Sequence, residues 1–581
     1  MKFERKQMVD WYNPKQLAFT ATKTVVSGIF GNFADRREMQ AALDPGLKPH
    51  DVTEKDEIWI DFIADLGDGF NATYSMAHLL AQEHLIVSDE KIQRGDILIM
   101  GGDQVYPTPE LEEYDNRLRG PYHAAFPLNK KEKSRPLLFA LPGNHDWYDG
   151  LTNFLRLFTQ ERTLGNWQSK QRRSYFAIKL PHNTWLLGID VQLHADIDHP
   201  QLCYFKEVAQ TFADNDKIIL CTAEPSWVFQ SMNRNDKSNE RLNFFINRIL
   251  FGAANEEEER AGILPEKQKR KIELIAILTG DMHHYSRYEA EGDLWKRQLI
   301  TAGGGGAFMH CTHTLPTKLA DGTTLKSAFP PLDTSKALVW RNLLLPFYSL
   351  WFTIFFGGFH LLTAWFLQLG NKETVFLQNV GMVPGDFLLQ LTQNLPYNPP
   401  VLILNLILWI GIWRFTDTQS GKSPWTYIAG FVHATLQVVL FYWLYLLNAR
   451  WSVEAGSLNI VRFIVGLFVS GGLASSLLFG LYLFVSINWV GNHITEASSS
   501  FRWEGYKNFL RLKLTADGLT IYPVGVEKIA TNWKTTGTEE NPSFEGGPVN
   551  YELIEPPIYI SFAQVTAAQP QLKSERNEQH H

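Results

Sequence analysis

Short apolar runs that end in glycine and polar residues recur along the first half of the chain, between about residues 58 and 301. Most are continuous rather than alternating, as in strands that are buried on both faces. Stretches with helical spacing separate them. This alternation predicts a layered α/β domain whose polar residues lie in the loops after the strands. The predicted strands are IWIDFIA, DILIM, PLLFAL, SYFAIKL, TWLLGID, KIILC, ELIAIL and RQLIT.

The pattern changes at Trp340, after which the apolar segments become much longer. A hydrocarbon core of ~30 Å requires about 20 apolar residues in a helix. We therefore predict an α-helical transmembrane domain over residues 336–495 with about four helices, at 343–369, 401–413, 427–447 and 460–490. The second segment is short, and a re-entrant hairpin remains open for it.

Lysine and arginine predict how this domain is oriented. They occur before the first predicted helix, between the second and third, and after the fourth, whereas the opposite loops hold few. By the positive-inside rule, both termini and the α/β domain are expected in the cytoplasm. Residues 1–13 are polar, and no cleavable apolar signal follows them. We therefore expect an integral protein of an inner or plasma membrane, in contact with membrane lipid.

Charge and cysteine content exclude some functions. The formal net charge of -7 gives no basic surface that favours nucleic acid. The cysteines, Cys203, Cys221 and Cys311, have no metal-type spacing and fit a reducing compartment. The sequence therefore predicts neither a nucleic-acid partner nor a disulfide framework, and it leaves the oligomeric state open.

The two ends of the chain differ from its middle. Residues 1–50 are predicted as a helical segment, with a mildly amphipathic stretch at 17–33 that suits a surface or ordinary packing. Near the other end, FLRLKLTADGLTIYPVGV alternates around Asp517 and Gly518 and predicts a β-hairpin. Since so short a β segment is marginal alone, we expect 496–566 to pack on the α/β domain. Residues 567–581 are polar and predicted to be disordered.

Candidate metal ligands follow several of the predicted strands. Asp65, Asp103, Asn144 and His283 each come directly after an apolar run that ends in small residues. Carboxylate, amide and imidazole groups are the ligands of hard and borderline cations. A two-metal site also needs a ligand shared by both ions, and Asp103 on its Gly-Gly-Asp turn suits that role.

Taken in order, these loops resemble those of the calcineurin-like metallophosphoesterase family. The motifs are Asp, Gly-Asp, Gly-Asn-His-Asp and Gly-Asp-x-His, spread over residues 58 to 306. The resemblance implies a metallophosphoesterase domain, placed at 51–335, with two β-sheets packed together and flanked by helices in four layers. It also implies two divalent or trivalent ions, Mn, Fe, Mg or Zn, that activate water for hydrolysis of a phosphate ester or pyrophosphate.

The resemblance also implies a role for each ligand. Asp65 and His283 would bind one metal, Asn144 the other, and Asp103 both. The first motif lacks the family's usual histidine and is similar to the purple acid phosphatase variant. In that variant Tyr106 would be a phenolate ligand, although a packed ring with a hydrogen-bonded hydroxyl remains an equal alternative.

Two positions depart from the family pattern. Asp281 stands where a histidine is usual, and Ala223 or Glu224 falls where the family has the histidine of its middle strand. If Glu224 turns inward, it replaces that ligand. Since oxygen ligands favour harder ions, Mn or Mg becomes more plausible than Zn, and we favour Mn.

Three further residues complete the predicted site. By the same resemblance, His145 would protonate or stabilise the leaving oxygen, and Asp146 would orient its ring. His284 is a candidate substrate contact, with a surface or supporting role as the safer alternative.

The predicted function is a membrane-anchored phosphoesterase whose substrate is phosphorylated. More transmembrane helices than anchoring requires favour a lipid-linked phosphate or pyrophosphate, while nucleotides and phosphoproteins remain open. The alternative is a membrane sensor or transporter with a degenerate, non-hydrolytic phosphoesterase-like domain, because the motifs at Glu224 and Asp281 are altered.

Overall fold

The structure is a computed structural model. It describes residues 1–30, 35–44, 46–129, 131, 134–191, 197–233, 235–252, 272–289, 297–369, 398–416, 423–453, 459–538 and 541–562. The predicted disordered tail at 567–581 lies outside these residues, as does most of the predicted loop after the first transmembrane helix.

The strands of the α/β domain lie where the apolar runs predict them. All of the predicted strands are present, and shorter strands join them. In chain order the strands are β1 (His50–Asp51), β2 (Ile58–Ile63), β3 (His84–Val87), β4 (Glu90–Gln93), β5 (Ile97–Met100), β6 (Leu137–Ala140), β7 (Thr163–Leu164), β8 (Trp167–Ser169), β9 (Phe176–Leu180), β10 (Thr184–Gly188), β11 (Lys217–Cys221), β12 (Glu273–Thr279), β13 (Tyr285–Glu289), β14 (Gln298–Ala302), β15 (Thr324–Phe329), β16 (Lys507–Leu514), β17 (Gly518–Val526), β18 (Lys534–Thr535), β19 (Phe544–Glu545), β20 (Glu552–Leu553) and β21 (Ile558–Ser561).

The helices connect these strands and then form the apolar region. In chain order they are α1 (Pro14–Phe30), α2 (Arg36–Leu43), α3 (Phe70–Ala81), α4 (Leu111–Glu113), α5 (Gly120–Ala125), α6 (Thr152–Phe158), α7 (His199–Gln210), α8 (Ser226–Met232), α9 (Ser238–Phe244), α10 (Leu332–Leu338), α11 (Leu345–Tyr348), α12 (Leu350–Leu369), α13 (Pro399–Arg414), α14 (Pro424–Val453), α15 (Asn459–Val485) and α16 (Ile494–Ser500). Short 3-10 turns lie at Asp146–Asp149 and Val339–Leu344, and π-helical turns lie at Tyr114–Arg119, Phe245–Leu250 and Ser486–Val490.

Two sheets form the middle layers of the α/β domain. One has the strand order β1-β9-β10-β11-β12-β14-β13-β15, and the other has the order β20-β17-β16-β2-β5-β6-β8-β7, with β21 paired to β17. Their facing sides share one apolar core, which includes Phe62, Ile99 and Phe139 from one sheet and Ile178 and Ile219 from the other. Helices cover both outer faces. The predicted arrangement of two sheets flanked by helices is therefore confirmed.

The predicted C-terminal hairpin becomes part of the second sheet. Strands β16 and β17 pair antiparallel, and β16 also pairs antiparallel with β2, with Leu510 opposite Phe62. A buried ion pair reinforces this contact, since Arg511 donates from Nε to Asp61 Oδ1 at 2.7 Å and from Nη2 to Asp61 Oδ2 at 2.9 Å. The strand that leads to Asp65 is thus held in place by residues about 450 positions later.

Among the described residues of the apolar region, three helices are long and apolar enough to cross a membrane: Leu350–Leu369, Pro424–Ser452 and Asn459–Val490. The helix predicted at 401–413 is present as α13, which has 16 residues and spans about 24 Å at 1.5 Å per residue. These helices suggest membrane insertion.

The predicted start of the first membrane helix at residue 343 is wrong. Residues 339–348 form a 3-10 turn and the short helix α11, and Ser349 interrupts the helical backbone with φ -126° and ψ 74°. The Ser349 hydroxyl is hydrogen-bonded to the Asp10 carboxylate instead. The long helix α12 therefore begins only at Leu350.

The apolar helices and the α/β domain form one continuous interior. Phe352 and Phe479 of the helices belong to the same apolar core as the facing sides of the two sheets. Polar contacts also join the two regions, since Ser500 Oγ donates to Asn342 Oδ1 at 2.6 Å and the Cys311 amide donates to Ser498 Oγ at 3.1 Å. The α/β domain therefore sits directly against the ends of α12 and α15.

Candidate metal centre

Four loops bring the predicted ligands together at one edge of the two sheets. Strands β2, β5 and β6 are parallel neighbours, so the loops after them leave the same edge of their sheet. These loops carry Asp65, Asp103 and Asn144 in turn. From the other sheet, the loop after β12 contributes Asp281 and His283. The backbone amide of Asp281 donates to Asp65 Oδ1 at 3.0 Å, which links the loops of the two sheets.

The carboxylate-bearing turns have an uncommon backbone conformation. Asp65, Asp103 and Asp281 are left-handed, with φ of 58°, 44° and 65°. Few residues other than glycine adopt such angles, although aspartate tolerates them better than most. Strained residues of this kind persist where the surrounding structure requires them, and they cluster at functional sites.

A compact ligand set lies inside these loops. One ligand atom each from Asp65, Asp103 and His283 lie within 4.8 Å of one another, and all three residues are buried. The Tyr106 hydroxyl donates to Asp103 Oδ2 at 2.9 Å and lies 3.0 Å from His283 Nε2. His283 Nδ1 lies 2.8 Å from the carbonyl of Phe308. A proton on Nδ1 leaves Nε2 as the nitrogen that can coordinate a metal.

The chemistry of this set fits metal ions. Asp65 Oδ2 and Asn144 Oδ1 are buried and have no hydrogen-bond partner among the described residues. A buried polar atom without a partner costs free energy, and bound cations would satisfy these two oxygens. Aspartate, asparagine and histidine are also the donor types that hard and borderline divalent ions take.

The carboxylates repel one another in a buried space. Burial raises the pKa of Asp103 to about 7. Burial, with the Asp103 carboxylate beside it, raises the pKa of Asp281 to about 8, and burial together with Asp281 raises the pKa of Glu224 to about 8. The pKa of Asp65 is raised in the same way, first by burial and then by Asp103. Bound cations would remove this repulsion.

Glycines make room for two of these carboxylates. A Cβ atom at Gly143 would lie 2.1 Å from Asp103 Oδ1, and one at Gly303 would lie 2.1 Å from Asp65 Oδ2. No side chain fits at such distances without moving the carboxylate. The Gly-Gly-Gly-Gly run that begins at Gly303 is therefore packed against the ligand loops.

His145 lies beside the ligand set. Its backbone amide donates to Asp103 Oδ1 at 2.9 Å, and its Nδ1 lies 2.9 Å from the carbonyl of Pro107. Burial lowers the pKa of the ring to about 4. The neutral ring therefore holds its proton on Nδ1, and Nε2 can donate only after the ring gains a second proton. A bound phosphate would favour that gain through its negative charge.

Asp146 does not orient the His145 ring, so this predicted role is wrong. Its Oδ2 accepts from the backbone amides of Gly143 at 2.9 Å and Gln104 at 3.1 Å, and its Oδ1 accepts from the Tyr114 hydroxyl. The physical reason is that a 3-10 turn begins at Asp146, and its carboxylate bonds back to the loops. Asp146 is a positioning residue for the loops of Asp103 and Asn144.

The predicted substrate contact at His284 is also not supported. The ring is fully buried, and it does not line the cavity described below among the residues that the structure covers. His283 and His284 lie in the bend before β13, which begins at Tyr285. His283 belongs to the clustered ligands and lines the cavity, whereas His284 does neither.

Two residues near the ligand set were not among the predicted site residues. Trp11 packs edge-on against His145, with ring centroids 5.6 Å apart, and against Tyr106 at 6.3 Å. His310 stacks on His283 with ring centroids 4.0 Å apart. Trp11 lies more than 50 positions before Asp65, and His310 lies 27 positions after His283, so the fold rather than a shared motif brings them close.

One cavity of about 1110 Å³ opens onto these groups. Asp103, Asn144, His145, Glu224 and Asp281 line part of it. Glu224, which would replace the family's histidine if it turned inward, thus lines the same cavity as the other candidate ligands. Apolar residues of α12 and α13 and Phe479 of α15 form another part of the wall, and polar residues between α8 and α9, such as Asn235 and Asp236, form a third.

Comparison with known proteins agrees with this geometry. Residues 58–252 match the family model described as calcineurin-like phosphoesterase. This family implies a dinuclear centre of divalent metal ions, whose identity the match does not determine. A search of curated proteins finds no match.

Two solved structures resemble part of the chain. One is the structure of PhoD, with 12% sequence identity, coverage of 45% of this chain and 59% of that chain, and a TM-score of 0.29. The other is purple acid phosphatase PPD1 from yellow lupin (Lupinus luteus) seeds, with 12% identity, coverage of 45% of this chain and 46% of that chain, and a TM-score of 0.27. The chain therefore spans less than two thirds of either one.

Proposed function

Residues 58–252 form a calcineurin-like phosphoesterase domain, and from this premise we propose that the protein is a membrane-anchored enzyme that hydrolyses a lipid-linked phosphate ester or pyrophosphate. The observation that carries the proposal is the buried set of Asp65, Asp103 and His283, whose ligand atoms lie within 4.8 Å of one another. Asp103 and His283 of this set line a cavity that continues to the apolar helices.

The chain offers ligands for two metal ions. Asp65 and His283 would hold one ion, Asn144 and Glu224 the other, and Asp103 both. Asp281 lines the same cavity and would complete the second set. Bound ions would lower the pKa of a water molecule and neutralise the oxygens of the phosphoryl group. Because oxygen donors predominate, we favour Mn over Zn.

The other polar residues act on the substrate or on the ligands. His145 would donate from Nε2 to the leaving oxygen, after the negative charge of the phosphate has favoured protonation of its ring. The Tyr106 hydroxyl would stay bonded to Asp103 or coordinate the same ion as a phenolate, because it contacts both Asp103 and His283. Asp146 would hold the loops of Asp103 and Asn144 in place.

The position of the domain relative to the membrane supports four crossings. Ser349, just before the first long helix, and β16, after the last, both contact the N-terminal segment or the α/β domain. Both ends of the helical region therefore lie on one side, which requires an even number of crossings. Since three helices within the described ranges are long enough to span, we propose that α13 crosses as a fourth, with local thinning of the bilayer.

We place the α/β domain in the cytoplasm, because lysine and arginine flank this side of the helices. Protease added to sealed inside-out vesicles is expected to digest the α/β domain. Digestion in right-side-out vesicles instead would contradict the orientation without affecting the proposed chemistry.

Hydrolysis itself is tested with an aryl phosphodiester, which reports on the metal centre whatever the natural substrate. Purified full-length protein loaded with Mn²⁺ is expected to release the phenol, and EDTA is expected to stop the reaction. Failure of the Mn²⁺-loaded protein to hydrolyse any aryl phosphate would favour the degenerate, non-hydrolytic alternative.

A further inference from the structure

We propose that the apolar part of the cavity is a binding slot for the hydrocarbon chain of the substrate, a membrane lipid phosphate. This inference rests on the proposed function, since the metal centre would hold the phosphate of the same molecule. It adds a site that phosphoester chemistry alone does not require.

The first observation is the extent of the cavity. At about 1110 Å³ it exceeds the usual upper range of ~1,000 Å³ for small-molecule pockets. Polar residues line the cavity at Asp103, His145 and Glu224 and again at Asn233, Asp236, Lys237 and Arg241. The wall that α12, α13 and Phe479 contribute is aromatic and aliphatic apart from Gly411, so this part of the cavity suits an apolar occupant.

The second observation is which elements form that wall. Phe355 and Phe359 of α12, Ile407 and Gly411 of α13, and Phe479 of α15 line the slot. All of these helices belong to the apolar region that suggests membrane insertion. An occupant of the slot therefore lies beside the bilayer, where lipid chains are available, and its phosphate lies where the α/β domain meets the helices.

The third observation shows that the polar and apolar parts adjoin. Trp11 packs against His145 with ring centroids 5.6 Å apart, while the next residue, Tyr12, packs against Phe352 at 5.2 Å and Phe479 at 6.0 Å. Consecutive Cα atoms are only about 3.8 Å apart. One molecule with a phosphate at one end and a chain at the other would thus contact both parts at once.

Two glycines allow a matched test of the slot. A Cβ atom at Gly411, which lines the slot, or at Gly358, which does not, would meet nothing within 4 Å. Both are exposed residues of apolar helices. Gly411→Phe should fill the slot without a clash in the protein, whereas Gly358→Phe adds the same ring elsewhere on the neighbouring helix.

The measurement is calorimetric binding of alkyl phosphonates, from ethyl to decyl, to Mn²⁺-loaded full-length protein in nanodiscs. A buried methylene is worth about fourfold in affinity, from ~0.8 kcal/mol per CH₂. We expect the decyl-to-ethyl affinity ratio to be at least about tenfold smaller for Gly411→Phe than for Gly358→Phe. Since both variants are in the same bilayer, partition of the ligands into lipid cancels in this comparison.

Equal ratios in the two variants would overturn the slot. If Gly411→Phe lowers the thermal midpoint, Gly411→Leu is tested as the smaller substitution. We expect it to lower the decyl-to-ethyl affinity ratio by more than Gly358→Phe and by less than Gly411→Phe. Turnover of the aryl phosphodiester is measured in parallel on the wild-type protein. A lower affinity ratio in Gly411→Phe, with no turnover by the wild-type protein, would support the slot and contradict hydrolysis. Turnover by the wild-type protein, with equal affinity ratios in the two variants, would support hydrolysis and contradict the slot.

Discussion

The two parts of the cavity are built on opposite physical principles. At the metal centre, carboxylates lie on left-handed turns, glycines leave them space, and oxygens of Asp65 and Asn144 are buried without partners in the described chain. On the helices, the wall consists of aromatic and aliphatic side chains such as Phe355 and Ile407 on regular backbone. The buried carboxylates repel one another until cations bind. The aromatic and aliphatic wall has no charge to neutralise.

This difference suggests how the work of recognition is divided. The metal centre has fixed geometry and would select for a phosphoryl group, because its donors are already positioned and dehydrated. The helical wall is non-directional and would select only for apolar character and length. Changes at the first part should therefore affect chemistry, and changes at the second should affect which substrates are accepted.

The largest effect is expected at the shared ligand. Asp103→Asn should lower kcat/KM for an aryl phosphodiester by more than about 10³-fold, because changes to residues that only support metal ligands already cost 10–100-fold. The thermal midpoint should stay close to that of the wild-type protein. Asp68→Asn is the control, since Asp68 accepts the Val9 amide at 2.7 Å and is not in the ligand set. Equal losses in both variants would contradict a special role for Asp103.

Next in size is the effect of His145→Gln. General acid catalysis contributes about 10²- to 10⁴-fold, so an alkyl ester, whose leaving oxygen needs a proton, should lose about 10²-fold or more in kcat. An aryl ester with a good leaving group should lose much less. The ratio of the two losses is the measurement, and equal losses would show that the ring supports the fold rather than the leaving group.

A change of pH should alter metal binding at the polar part of the cavity but not the binding of a hydrocarbon chain at the apolar part. The raised pKa values of Asp281 and Glu224, about 8 each, mean that metal must displace protons below that pH. Mn²⁺ affinity should thus rise about tenfold per pH unit between pH 6 and 8 for each displaced proton, as titration calorimetry can measure. Chain-length dependence of alkyl phosphonate binding to metal-saturated protein should not change over this range.

The same pKa values predict the stability of the metal-free protein. Groups with a raised folded-state pKa hold more protons when folded than when unfolded, so their contribution is present at low pH and is lost as pH rises through the folded pKa. EDTA-treated protein should therefore lose unfolding free energy between about pH 5 and 8. A gain over that interval in urea melts would contradict the buried carboxylate cluster.

The smallest effect is expected where the two parts meet. Trp11→Ala should raise KM for a long-chain substrate by about threefold to tenfold, since an aromatic contact is worth ~0.5–1.5 kcal/mol beyond its buried area. The change in kcat should be small, and Trp11→Phe should restore most of the loss. A loss in kcat alone would place Trp11 with the metal centre rather than at the junction.

The ligand loops could be predicted from sequence because their signals are local. Each ligand directly follows an apolar run, and parallel strands bring the ends of such runs to one edge, as for Asp65 and Asp103. The same logic predicted the hairpin at β16 and β17. It could not predict that β16 pairs with β2, because strand pairing across some 450 residues leaves no local pattern.

The errors arose where neighbours in sequence were taken as neighbours in space. Asp146 follows His145, yet a 3-10 turn sends its carboxylate to the amides of Gly143 and Gln104. His284 follows His283, yet of the two it is His283 that belongs to the clustered ligands and lines the cavity. Trp11 shows the converse, since it lies more than 50 positions before Asp65, the first predicted ligand, and still packs against the site.

The metal content of the purified protein tests the central claim most directly. We expect elemental analysis of Mn²⁺-loaded wild-type protein to give two ions per chain, and Asp103→Asn to lose both because their shared ligand is removed. Glu224→Gln should retain the ion held by Asp65 and His283 and weaken the other. Less than one ion per wild-type chain would contradict the proposed metal centre.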